Sequence, residues 1–189
     1  MTRYCHQKYC HEILHRPSLC FLRPHFLPLD GRPHPIWSSC GSSASAVKAA
    51  TVQARLLTGR YQHDLLRSKW DGGDGSCRIQ GCGAPDSDTI HLLSGQCAPL
   101  RPFLSNTLKY NLKFLEDYPD ILQTVLSALS GSPFDWVTYL LDPSCDPILI
   151  QISQMKGPNY IWPVFKLSRS LIWTMHKNRL KLLGLERFL

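Results

Sequence analysis

From Ser42 onward the apolar positions of this chain recur at helical intervals. Ser42 or Ser43 can cap a first helix carrying Val47, Ala50, Thr51, Ala54 and Leu57 on one side, with Lys48 and Arg55 together on another. Gly59 ends it. A second short helix is predicted over Tyr61–Trp70, stopped by the turn Asp71-Gly72-Gly73-Asp74-Gly75. Leu100–Tyr118 and Ile121–Ser130 read as helices divided at Pro119, and Pro133–Leu141 as a further short one. Pro147–Met155 is ambiguous: Ile148, Ile150 and Ile152 alternate as on a strand, yet a short helix fits equally. The longest predicted helix is Ile161–Leu183. Its apolar stripe is Ile161, Val164, Ser168, Leu171, Ile172, Met175, Leu182 and Leu183. Lys166, Arg169, Trp173, Lys177 and Lys181 fall within about 120° on the opposite face. Arg179 falls towards the apolar side and needs a carboxylate or carbonyl partner if the helix packs there. The pattern therefore predicts a mainly α protein, with a helical segment over 36–76 and a helical C-terminal region over 101–189.

Residues 1–35 read differently. They are rich in histidine and broken by Pro17, Pro24, Pro28, Pro33 and Pro35, so a poorly ordered leader is expected. Cys5, Cys10, His15 and Cys20 recur at five-residue intervals and raise the question of a second metal site. A five-residue step turns about 140° on a helix, so the four cannot share one face.

Between the helical segments, 77–100 holds the chain's most specific chemistry, Cys77-x4-Cys82-x8-His91-x5-Cys97. Three thiols and one imidazole supply the donor set of a closed, tetrahedral zinc knuckle embedded in the helical domain. Gly81 and Gly83 let the backbone turn tightly and aim amides at the sulfurs. Asp86, Ser87 and Asp88 offer caps for a short helix through Ile90–Leu93, which Gly95 can end. Four protein ligands leave no open position, so the expected zinc is structural.

Charge adds a partner class. Residues 1–71 carry ten Lys/Arg against four Asp/Glu, and 156–189 carry seven against one, while 72–155 carry four against nine. Basic flanks around an acidic waist suggest a polyanion, and an aromatic among cations on 161–183 suits a nucleic-acid backbone with a stacked base; an ordinary solvated face with a partly covered Trp fits the same pattern. Lys166, Arg169, Lys177, Lys181, Arg55 and Arg60 are the expected phosphate contacts, with Trp173 as the stacking platform. The apolar fraction of 43% allows a core without being lavish. No sustained apolar run opens the chain and no window reaches the length of a membrane span, so a reducing compartment, nucleus or cytoplasm, is expected for the thiols.

Several blocks together resemble the C-terminal region of reverse transcriptases from non-LTR retrotransposons, of the endonuclease–reverse transcriptase type. They are Ala50–Tyr61, the Cys/His cluster with its sequel His91–Leu100, Leu140-Leu141-Asp142-Pro143, and Ile172–Leu180. The resemblance spans about Pro35 to Gly184. It implies a knuckle ligated by Cys77, Cys82, His91 and Cys97 that helps hold element RNA or target DNA. No aromatic-x-Asp-Asp sequence occurs, and polymerase chemistry needs paired carboxylates for two metal ions. The resemblance thus implies a tail lacking the catalytic domains.

Nucleophilic catalysis would need a thiol or hydroxyl beside an oriented base. Cys40 or Cys145 with His63 or His176 can be paired on paper, without a supporting motif. Asp86/Asp88 and Glu116/Asp117 read as caps or solvated faces. No enzyme activity and no small-molecule substrate are expected. The functional expectation is a zinc-stabilised fragment that binds RNA or DNA through the phosphate backbone. The alternatives are a protein-interaction module with purely structural zinc, whose acidic waist meets a protein partner, or a non-functional element fragment.

Overall fold

The computed structural model describes Phe21, residues 34–41 and residues 43–188. Most of the predicted leader, including Cys5, Cys10, His15 and Cys20, lies outside the described residues. Phe21 falls within that leader; it is buried and stacks on Phe134 with ring centroids 5.5 Å apart.

Among the described residues the α-helices are α1 (Pro35–Ser38), α2 (Ala44–Leu57), α3 (Asp64–Asp71), α4 (Thr89–Leu93), α5 (Arg101–Leu115), α6 (Pro119–Leu129), α7 (Pro133–Leu141), α8 (Pro147–Lys156) and α9 (Trp162–Leu182), and there is no strand. Local chemistry fixes most starts. Pro occupies an early position in α5, α6, α7, α8 and α9, where its missing N–H has no helical partner to lose. The Ser132 hydroxyl accepts from the Asp135 amide at 3.1 Å and donates to the Asp135 carboxylate at 2.6 Å, starting α7. Asp146 settles the ambiguous segment. One carboxylate oxygen accepts from the amides of Ile148 and Leu149, both at 2.9 Å, and this cap makes 147–156 a helix despite its alternating isoleucines.

α9 is the axis of the fold, packing along α5 and α2. It buries Val164, Phe165, Leu167, Leu171, Ile172 and Met175. Full burial of one such side chain is worth about 1.5–3 kcal/mol, so this helix anchors the core. Its buried sector is wider than the predicted stripe, taking in Phe165, Leu167 and Leu180 and leaving Leu182 at the surface. α5 and α9 run antiparallel. Thr107 donates to Thr174 at 3.2 Å, Asn111 to Ser170 at 3.3 Å, and the Lys166 ammonium lies 4.5 Å from the Phe114 ring centroid, so partners recede along α9 as α5 advances.

The predicted face of α2 is rotated. Ala49, Ala50, Val52, Gln53, Leu56 and Leu57 are buried, whereas Val47 is exposed. A polar residue explains the rotation. Fully buried Gln53 donates its amide to the Leu141 carbonyl at 2.8 Å, at the end of α7, where helical carbonyls lack partners. The second predicted helix begins later than expected: Tyr61 is buried ahead of it, and the His63 ring nitrogen caps α3 by accepting from the Leu66 amide at 3.2 Å. No described helix is long and apolar enough to cross a membrane.

Candidate metal centre and basic face

The knuckle folds as its residue types dictate. Positive φ angles at Gly81 (79°) and Gly83 (69°) carry the chain around Cys82. The Cys77 amide then bonds the Ala84 carbonyl at 3.0 Å, and the Cys82 amide bonds the Ile79 carbonyl at 3.1 Å. Asp88 caps α4 by accepting from the His91 amide at 2.7 Å, which fixes the turn bearing the imidazole. Gly95 ends that helix with a φ of 82°, and the Cys97 amide closes back on the His91 carbonyl at 3.1 Å.

These turns bring all four predicted ligands together. One donor atom from each of Cys77, Cys82, His91 and Cys97 lies within 4.8 Å of every other, and the Cys82 sulfur stands 3.3 Å from His91 Nε2. A tetrahedral set about 2.3 Å from a central ion has edges of about 3.8 Å, so the group can hold a metal ion with little movement. Electrostatics points the same way. Burial pushes the Cys77 thiol up, and burial with the Cys77 charge pushes Cys97 up to about 12. Burial also opposes ionisation of Cys82, but the Ala84 amide and the neighbouring thiols outweigh it and hold that group below the usual thiol range. Crowded thiolates repel one another, and a divalent cation relieves that repulsion. Burial lowers the His91 pKa, keeping a neutral imidazole with a ring lone pair to offer. The backbone at Ile79, Ala84, Ala98 and Leu100 favours the charged form of the sulfurs, as the surroundings of such a site should.

A buried carboxylate ties this centre to the helices. Asp64, at the start of α3, accepts from Arg78 Nε at 2.8 Å, from the Arg78 amide at 3.3 Å and from Arg179 Nη2 at 3.0 Å. The carboxylate partner expected for Arg179 is thus Asp64. Sequence reasoning missed the third member, Arg78, which carries no periodic signal because it lies in the irregular loop between Cys77 and Cys82.

The predicted nucleic-acid residues divide into two groups. Lys166, Lys177 and Lys181 are exposed on α9, Arg55 on α2, and Arg60 just beyond it. Arg169 departs from the expectation. It is buried, with Nη1 donating to the Ser39 hydroxyl at 2.6 Å and Nη2 to the Ser39 carbonyl at 2.8 Å, so it clasps the end of α1 instead of facing solvent. Trp173 is half-buried against the core, with its ring 5.5 Å from that of His176, and does not stand open on the face.

The groups weighed for catalysis are engaged separately. Cys40 donates to the Ile36 carbonyl at 2.9 Å, Cys145 faces Asp142, His63 caps α3, and His176 bonds the Tyr61 hydroxyl at 3.0 Å. The described cysteines form no disulfide among themselves. No family model, curated protein or solved structure matches the chain.

Proposed function

We propose that this chain is a zinc-stabilised nucleic-acid-binding module, without catalysis of its own, that holds RNA or DNA mainly through phosphate contacts. The resemblance to a retrotransposon reverse transcriptase tail motivates the reading. The observation that carries it is the α5–α9 pair. Neither helix contains a single Asp or Glu, and Arg101, Lys109, Lys113, Lys166, Lys177 and Lys181 are exposed on them. Arg55 adds charge from the neighbouring α2. A surface with cations and no intrinsic counter-charge attracts a polyanion and little else. Arg169 is withdrawn from the contact set by its burial, and Trp173 from the platform role by its packing.

Zinc suits a set of three thiolates and one imidazole better than magnesium or calcium, which prefer oxygen. Cys77, Cys82, His91 and Cys97 would hold it, leaving no position for water, so its contribution is shape. Two measurements on the full chain test the reading: metal content after purification without added metal, and oligonucleotide affinity of the metal-replete protein. A chain free of zinc, or one indifferent to oligonucleotides, would refute the corresponding half.

A further inference from the structure

Resting on the nucleic-acid reading, we propose that the ligand is single-stranded and that its bases stack on an aromatic row of α5 led by Tyr110, with Phe103 beside it.

Phe103, Tyr110 and Phe114 are spaced by seven and four residues, which places them within about 40° of one another around the helix. α5 buries Leu104, Asn111 and Leu115 on a different sector. The aromatic row is open: Tyr110 is 77% exposed, Phe103 40% and Phe114 37%. Burying such rings is normally among the largest gains a helix makes, so a row of them left at the surface invites an external flat apolar partner. Phe114 already carries the Lys166 ammonium over its ring at 4.5 Å. The antiparallel register set by Thr107–Thr174 and Asn111–Ser170 brings Phe103 level with Lys177. Rings on α5 therefore run beside lysines on α9, and Lys109 and Lys113 add charge from α5 itself. The nearest acids in sequence lie beyond the helix ends, Glu116 and Asp117 after α5 and Glu186 after α9.

A single strand offers unstacked bases and phosphates side by side, which is the chemistry this surface complements. A duplex offers phosphates but hides its base faces. The lysines alone would serve both, whereas the rings reward only the open strand.

The test compares binding of a fluorescein-labelled oligothymidylate with that of a labelled duplex of equal length, at one salt concentration. Tyr110→Ala is expected to lower single-strand affinity about tenfold, at the scale of one lost base stack, and to leave duplex affinity unchanged. Tyr110→Phe keeps the ring and should bind as the parent does; Phe103→Ala should fall between. Trp70→Ala, another exposed ring at 84%, is the control and should be neutral. Equal losses on both ligands, no loss for Tyr110→Ala, or loss transferred to Trp70→Ala would each overturn the proposal while leaving phosphate binding in place. A parent chain that binds neither ligand would instead overturn the nucleic-acid reading on which the proposal rests.

Discussion

Asp64 and Arg179 are 115 residues apart in sequence, yet Asp64 Oδ1 accepts from Arg179 Nη2 at 3.0 Å with both side chains buried. Through this pair and Arg78, the loop carrying the metal ligands is locked to the central helix. Burial alone would raise the Asp64 pKa, but Arg179, with the hydrogen bonds and charge of Arg78, holds it below the ordinary carboxylate range. Removing either buried partner strands a charge. Asp64→Ala and Arg179→Met should each cost about 3–5 kcal/mol in urea denaturation, and the double variant less than their sum. Arg78→Ala, whose side chain is 44% exposed, should cost about 1 kcal/mol or less in side-chain charge. Additive losses for Asp64 and Arg179 would deny their coupling.

Gln53 is predicted to matter more than a helix glutamine usually does. Replacing it by Ala leaves the Leu141 carbonyl without its side-chain donor and opens a gap between α2 and α7. The expected loss is about 1–3 kcal/mol by the same denaturation measurement. A neutral result would mean that water reaches the end of α7.

The surroundings of His176 predict a pH dependence of the fold and its sign. Burial, with Arg179 and Arg55 nearby, presses its pKa down to about 4, against about 6.5 for an unfolded histidine. Its contribution is present above pH 6.5 and is lost as pH falls towards 4, because the unfolded chain takes up the proton first. The difference between parent and His176→Gln in zinc-saturated protein should therefore shrink from pH 7.5 to pH 5. A constant difference across that window would show that His176 titrates normally.

The metal ligands should act as a unit. His91→Ala is expected to lower zinc content well below one ion per chain and to raise hydrogen exchange across 77–97, since metal binding and folding are coupled there. Retention of a full zinc would remove His91 from the ligand set. Loss of zinc without faster exchange would show that the loop folds unaided.

Much of this was legible in the chain. Cys77, Cys82, His91 and Cys97 announce themselves by type and spacing, and the glycines and Asp88 explain how they meet. The helices were legible because proline and capping residues mark their starts locally. Faces were harder. Gln53 turns inward to serve a carbonyl on another helix, and Arg169 turns inward to serve Ser39, so both obey partners that no periodicity can see. Arg179 shows the converse, since a cation on an apolar stripe already demanded a buried acid. The aromatic row of α5 could have been found by combining the spacing of Phe103, Tyr110 and Phe114 with the lack of acids over 101–115.

The most direct test of the account is the salt dependence of oligonucleotide affinity for the zinc-replete chain. Counting Lys166, Lys177 and Lys181 alone, phosphate contacts on a single strand predict a log–log slope of about −2, steeper with the cations of α5 and Arg55 engaged, and reduced in magnitude by about 0.7 in Lys177→Ala. A slope near zero, or one unchanged by that substitution, would contradict phosphate binding by this face.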